Sequence, residues 1–75
     1  MTDFSIGDAY TSKKDLRNVR EGDAVYVAWH DGKHRLCTVR QNNNGNLVVE
    51  TPNKGILEVT NHKALRRAEQ FRGFL

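Results

Sequence analysis

Residues 21–40 read EGDAVYVAWHDGKHRLCTVR and contain the strongest strand and turn signals of this 75-residue chain. The first part alternates between two faces, with Val25, Val27 and Trp29 on one of them, as in a β-strand that has one buried side. The Asp31-Gly32 pair is typical of a tight hairpin turn, and a longer basic strand follows it. We therefore expect a β-hairpin, with the later strands laid against it.

The loop length at Asp31-Gly32 decides which side of the second strand faces the core. A two-residue type I′ loop turns Leu36 and Thr38 inward, onto the face of the valines in the first strand. A type I turn with a glycine bulge instead turns inward Arg35, Cys37 and Val39. We favour the bulged register, because it buries the cysteine and a valine and leaves the leucine near a strand end.

Two more strands are predicted downstream. The loop Asn42–Gly45 leads to a third strand over Asn46–Thr51, and the turn Pro52–Gly55 leads to a fourth over Ile56–Thr60. The inward positions of these strands are Leu47, Val49, Leu57 and Val59.

Residues 1–19 show no clear period and are predicted to be a flexible N-terminal arm or a short docked segment. Phe4 and Ile6 do alternate, so they could form a short strand that covers an open edge. The run Ser12–Asp15 fits a weak capping box, which predicts one short helical turn after it.

The tail over residues 61–72 allows two structures. It contains mostly good helix formers and could be one helix with an apolar stripe. The alternative is a single helical turn over Asn61–Leu65 and a short closing strand over Arg66–Glu69. Propensity favours the helix, whereas closure of a four-stranded sheet favours the turn and strand.

Three stretches carry a resemblance to a known architecture: Gly22–Val25, Asp31–Val39 and Leu65-Arg66. Together they resemble the SH3-like small barrels of the Tudor and KOW type. The resemblance covers about residues 20–69, and residues 70–75 would then be an apolar C-terminal tail. It implies a mainly β fold, an SH3-like barrel of four to five antiparallel strands with a short C-terminal helical segment. It also implies a binding role, since such barrels often bind RNA, DNA or modified peptides through the loop between their first two strands.

The charge is unevenly distributed along the chain. Twelve Lys and Arg residues against nine Asp and Glu residues give a net charge of +3. Residues 1–30 hold four basic and five acidic side chains, whereas residues 31–75 hold eight and four. A basic bias confined to one half favours an anionic partner, either nucleic acid or an acidic protein surface.

The expected compartment is the cytoplasm. Cys37 is the single cysteine, so no internal disulfide can form. The N-terminus lacks the basic and apolar regions of a signal peptide, and no apolar run approaches the roughly 18 residues of a membrane span. We therefore expect no membrane association.

No catalytic or metal-binding pattern is present. The soft ligands His30, His34, Cys37 and His62 do not have the spacing of a zinc site, and strand alternation turns His34 and Cys37 to opposite faces. No carboxylates are paired at a plausible cleft spacing. We therefore expect neither a cofactor nor enzymatic activity.

The candidate binding surface combines an aromatic residue with the cations of the loops, strand ends and tail. Its members are Trp29, His30, Lys33, His34, Arg35, Arg40, Lys54, Lys63, Arg66, Arg67 and Arg72. In a closed barrel these charges would form one stripe along a phosphate backbone. Trp29 is expected in or at the edge of the core, and its ring could stack on a base where it is exposed. The first hypothesis is therefore a small nucleic-acid-binding module.

The alternative hypothesis is a protein-binding adaptor or inhibitor. Such a chain would dock its barrel edge, or the segment Ala64–Leu75, onto a larger machine, possibly one that processes nucleic acid. Phe71, Phe74 and Leu75 are unusually apolar for a chain end, which favours this role or weak self-association. The oligomeric state itself is left open.

Overall fold

The computed structural model describes residues 4–70, which form one antiparallel sheet of six strands with two 3-10 helices. In chain order the elements are β1 (Phe4–Ala9), η1 (Lys13–Leu16), β2 (Ala24–Ala28), β3 (His34–Asn43), β4 (Asn46–Glu50), β5 (Ile56–Val59), η2 (His62–Ala64) and β6 (Leu65–Gln70). Across the sheet the order is β1-β6-β2-β3-β4-β5, so β1 and β5 are its edges. Over the same residues, no helix has the length and apolar character that a bilayer crossing requires.

The β2–β3 hairpin has the bulged register that the sequence favours. Val25 pairs with Cys37, so both face the same side. The Gly32 N–H donates to the Trp29 carbonyl at 3.0 Å, and Gly32 has a φ of +83°, a conformation that suits glycine. Trp29 N in turn donates to Lys33 O at 2.8 Å and closes the loop. The predicted burial of Cys37 is thereby confirmed.

The core lies on one face of the sheet, beneath the segment that joins β1 to β2. That segment contributes Tyr10, Leu16 and Val19. The strands contribute Val25, Val27, Cys37, Val39, Leu47, Val49, Val59 and Leu65. Trp29 is half-buried and packs against this cluster, which confirms its expected place at the edge of the core.

The strand count is higher than the four to five predicted. Residues 4–9 pair with β6, from Phe4 opposite Gln70 to Ala9 opposite Arg66. On its other side β6 pairs with β2, where Leu65 lies opposite Val27. The ladder therefore continues through β6 to β1, because each strand satisfies the backbone groups of the next. The domain boundaries predicted at residues 20 and 70 stay predictions.

The C-terminal segment takes the turn-and-strand alternative, and a helix over residues 61–70 is not found. Asn61 caps η2 by accepting a hydrogen bond from Lys63 N at 3.0 Å, but η2 ends at Ala64. Leu65 is already extended, with φ −113° and ψ 143°. The strand buries Leu65 completely and gives β2 a second ladder, which outweighs the helical propensity of the segment. Arg72 and the apolar tail from residue 71 onward lie outside the described residues.

Candidate nucleic-acid interface

The tip of the β2–β3 hairpin lies against the turn between β4 and β5. The two parts enclose a concavity of about 130 Å³. Its lining consists of Trp29, Arg35, Thr51, Pro52 and Asn53. We define Trp29–Lys33 and Arg35, together with Thr51–Lys54, as the tip surface.

Trp29 and Arg35 form a contact across the hairpin. The guanidinium carbon of Arg35 lies 5.3 Å from the centroid of the Trp29 ring, within cation–π distance. The register explains the contact, because Arg35 pairs with Val27 and so faces the same side as the core, one position from the turn. The His30 ring lies 6.3 Å from the Trp29 ring, centroid to centroid. An aromatic ring and a guanidinium therefore stand together at the concavity.

The β4–β5 turn presents Lys54 in an unusual backbone conformation. Thr51 closes the turn, since its backbone N–H donates to Gly55 O and its hydroxyl accepts from Gly55 N, at 2.8 and 3.0 Å. Lys54 N donates to Thr51 O at 2.8 Å, with Lys54 at a φ of +65°. Such a φ is uncommon for a residue other than glycine, asparagine or aspartate. The closed turn holds this exposed lysine beside the concavity.

The charge of the tip surface is positive. Lys33 and Lys54 are exposed, and neither forms an ion pair among residues 4–70. Asp31 is the one carboxylate of the tip surface. It accepts from Lys33 N at 3.0 Å and pairs with Arg35 at 3.2 Å, so its charge is taken up within the turn. Both lysine ammonium groups therefore remain available to an anionic ligand.

The other predicted site residues lie elsewhere. Arg40 stands at a bulge between β3 and β4 and pairs with Glu50. Lys63 is exposed on η2, and Arg66 is half-buried opposite Tyr26 on the outer face of the sheet. His34 also lies on that outer face, opposite Ala28 at the start of β3. The geometry does not connect these four residues with the tip surface. The single basic stripe expected from the sequence therefore stays a prediction.

Arg67 belongs to a second and larger concavity, of about 560 Å³, between the segment 10–23 and strands β1, β2 and β6. Its guanidinium lies 4.6 Å from the Tyr10 ring centroid and donates to Asp15 Oδ2 at 2.7 Å. The same carboxylate oxygen accepts from the backbone N–H of Thr11 at 3.1 Å. These groups satisfy one another, so the arginine is engaged within the chain. The capping box expected at Ser12 is not formed, because Asp15 reaches back to Thr11 and Ser12 makes no capping hydrogen bond.

The protonation of this cluster follows from its contacts. The Thr11 N–H, and then the Arg67 guanidinium, hold the pKa of the Asp15 carboxyl below its ordinary value of 3.8. Burial raises the pKa of Tyr10, against the opposing effect of Arg67. The cluster at neutral pH is therefore a carboxylate, a guanidinium and a neutral phenol.

Replacing Asp15 with asparagine is expected to lower the melting temperature at pH 7 by an amount that shrinks in acid. Folding lowers the pKa of this carboxyl, so its contribution is fully present above pH 3.8 and is lost as the pH falls through the lower value in the fold. Thermal melts of both proteins from pH 7 to pH 2 measure this. The matched control is Glu58→Gln, at an exposed carboxylate on β5 with no ion pair in the described part of the chain. An equal loss at every pH would contradict the assignment.

The histidine and cysteine side chains do not assemble into a reactive centre. Cys37 is buried opposite Val25, whereas His34 lies on the other face, as alternation predicted. Burial raises the pKa of the Cys37 thiol, which keeps it protonated. Within residues 4–70, no three side chains among His, Cys, Asp and Glu are grouped as metal ligands.

The sequence indicates the hairpin half of the tip surface and Lys54, but it does not indicate Thr51, Pro52 and Asn53. The turn itself was evident from proline and glycine. Its position against Trp29 depends on the order of strands across the sheet, for which the sequence carries no local signal.

Comparisons with protein-family models, with curated proteins and with solved structures find no match to this chain. The resemblance to SH3-like barrels therefore stays a prediction about architecture. Since folds of this kind serve many roles, function has to be inferred from the side chains of the tip surface.

Proposed function

We propose that this chain is a small, non-enzymatic binding module of the SH3-like barrel type that binds nucleic acid through the tip surface. The observation that carries the proposal is the concavity formed by Trp29, Arg35 and the β4–β5 turn. The two turns that form it also carry Lys33 and Lys54, which are exposed and form no ion pair within residues 4–70. The six-stranded antiparallel sheet with a 3-10 turn before its last strand suits that architecture.

The ligand that fits best is a single-stranded segment of RNA or DNA. An exposed part of an indole ring can stack only on a base that is not stacked in a duplex, and such stacking contributes about 1–3 kcal/mol per base. The lysine ammonium groups would contact the phosphates on either side. Arg35 would keep the ring in place, held by its ion pair with Asp31. A cytoplasmic location, expected from the sequence, accords with this role.

Changing both Lys33 and Lys54 to alanine is expected to weaken this binding and its dependence on salt. Each lost phosphate contact lowers the slope of log K against log salt by about 0.7 for a single strand, so the double variant should lose about 1.4. Fluorescence anisotropy with labelled RNA and DNA oligonucleotides between about 50 and 200 mM salt measures the slope.

The matched control is Lys63→Ala, at an exposed lysine outside the tip surface. It should leave the slope nearly unchanged. Absence of binding by the unmodified chain at low salt, or an unchanged slope in the double variant, would contradict the proposal.

A second candidate function, the protein-binding adaptor, has its own support at the edges of the sheet. Ile6 is 51% exposed on β1 and Ile56 is 66% exposed on β5, and these are the two edge strands. An exposed edge with an apolar side chain can accept a strand from another protein. Affinity capture from cell extract with and without nuclease separates the two candidates, because partners bound through nucleic acid are lost after digestion. Self-association through Phe71, Phe74 and Leu75 lies outside the described residues and stays a prediction.

A further inference from the structure

Four cations that take no part in the tip surface lie in the segment between β1 and β2. Its backbone makes successive turns, with Arg17 N donating to Lys14 O at 3.2 Å and Val19 N donating to Leu16 O at 3.1 Å. In such turns, side chains three residues apart lie in one row. One row is buried and contains Leu16 and Val19. The neighbouring row is exposed and contains Lys14 and Arg17, and Arg20 is exposed just after the last of these turns.

This segment is fastened to the turn between β3 and β4. The Asn42 side-chain amide donates to Leu16 O and to Val19 O, both at 2.8 Å. Lys13 Nζ donates to Asn46 Oδ1 at 2.8 Å. Gly45 is buried, and a Cβ at this position would lie 3.1 Å from Lys13 O. The segment and the turn are therefore one continuous surface, which we define as the loop surface, Lys13–Arg20 with Gln41–Asn46.

The loop surface exposes cations and amides, with little negative charge. Its one carboxylate is Asp15, and Arg67 already neutralises it. Lys14, Arg17 and Arg20 form no ion pair within residues 4–70. Of the next carboxylates along the chain, Asp23 accepts a hydrogen bond from the Arg20 backbone N–H at 2.9 Å, and Glu21 is exposed. The amides that accompany the cations are Asn18, Gln41, Asn42, Asn43, Asn44 and Asn46.

We propose that the loop surface is a second phosphate-contacting surface, so that one nucleic acid is held at both ends of β3. The inference rests on the proposed function of the tip surface. Lys, Arg, Asn and Gln side chains are the groups that contact phosphate and sugar in nucleic-acid complexes. No aromatic residue belongs to the loop surface, so it contacts the backbone of the ligand and leaves base stacking to Trp29. Its apolar residues Leu16 and Val19 are buried, which disfavours insertion into a membrane.

The two surfaces are separated by the length of one strand. The tip surface lies around the start of β3 at His34, and the loop surface includes the end of that strand at Asn43. Ten residues of strand span about 30 Å. A stacked strand advances about 3.4 Å per nucleotide and an extended single strand about twice as far, so a ligand needs roughly five to nine nucleotides to reach both surfaces. A ligand of about three nucleotides can occupy only one of them.

The test is the triple variant Lys14→Ala/Arg17→Ala/Arg20→Ala, titrated by anisotropy with oligonucleotides of about 3 and about 20 nucleotides. With the longer ligand the salt slope should fall by about 2, so that the unmodified chain loses about twentyfold more affinity than the variant between 50 and 200 mM salt. With the shorter ligand, which the tip surface alone binds, the slope should change by less than about 0.5.

The charge-conserving variant Lys14→Arg/Arg17→Lys/Arg20→Lys is the matched control and should keep the full slope with the longer ligand. All three side chains are exposed, so thermal melts of both triple variants should match that of the unmodified chain. An unchanged slope with the longer ligand, or an equal loss with both ligands, would overturn the second surface. The second surface would also be overturned if the triple variant lost binding to an acidic peptide or to anionic vesicles but kept its affinity for nucleic acid. If neither the unmodified chain nor any variant binds either oligonucleotide, the proposed function itself fails.

Discussion

Replacing Leu65 with alanine is expected to lower the free energy of unfolding by about 2–5 kcal/mol, the usual range for a fully buried leucine. Leu65 has no exposed surface and opens β6, the strand that joins β1 to β2. Its truncation leaves a cavity opposite Val27, where the ladder to β2 begins. Small domains have stabilities at the lower end of about 5–15 kcal/mol, so much of that margin would be lost.

Urea denaturation followed by circular dichroism measures this loss. The matched control is Ile56→Ala, which removes an aliphatic side chain that is 66% exposed on the edge strand β5 and should cost less than about 0.5 kcal/mol. The difference between the two variants isolates the contribution of burial. A cost below about 1 kcal/mol for Leu65→Ala would mean that β6 does not bury Leu65 in the core.

The same residue shows why part of the fold could be predicted and part could not. Alternation in residues 24–29 and the glycine after Asp31 are local signals, and they predict the hairpin. They leave two registers open, and the bulged one is favoured because it buries Cys37 and Val39, as the structure shows. Leu65 is an apolar residue that either a helix or a strand could bury. Its apolar character therefore does not distinguish the two structures predicted for the tail. The decision comes from the ladder with Val27, which joins residues 38 positions apart. Local propensity carries no information about a contact of that separation.

The candidate site divides in the same way. Trp29, Lys33 and Arg35 belong to one hairpin and could be placed together from the sequence. The sequence indicates Arg67 as equally available to a ligand. In the structure, however, its guanidinium donates to Asp15, which is 52 positions away. The sequence did not indicate a basic surface at residues 13–20, because residues 1–30 as a whole hold four basic and five acidic side chains. Its exposed row becomes evident only when the three-residue turns separate those cations from Leu16 and Val19.

Substitution of Asn42 is expected to cause a large loss of stability that the sequence alone does not suggest. Its position after a strand and before Asn-Asn-Gly indicated only a loop that tolerates positive φ. The structure gives its side chain three hydrogen bonds, two donated to the carbonyls of Leu16 and Val19 and one accepted from Gly45 N at 2.9 Å. An amide is suited to this because it donates twice and accepts at the same time. One side chain thereby fixes the turn and the segment that covers the core.

Asn42→Ala is therefore expected to destabilise the chain by about 2–4 kcal/mol, because each half-buried group that loses its partner costs about 1–3 kcal/mol and water recovers part of that cost. Asn42→Asp should be at least as harmful at pH 7, since a carboxylate cannot donate and would face two carbonyl oxygens. Asn43→Ala is the matched control at an exposed neighbour and should cost less than about 0.5 kcal/mol.

Hydrogen exchange adds a local measurement to these denaturation curves. The amides of Val19 and Gly45 should lose protection in Asn42→Ala more than those of β2, because the segment is released before the sheet opens. Since the same side chain positions Lys14, Arg17 and Arg20, the variant should also lose part of the salt slope with the longer oligonucleotide. Equal loss of protection throughout the chain would show that the segment and the sheet unfold together, and that Asn42 stabilises the whole domain without a separate anchoring role.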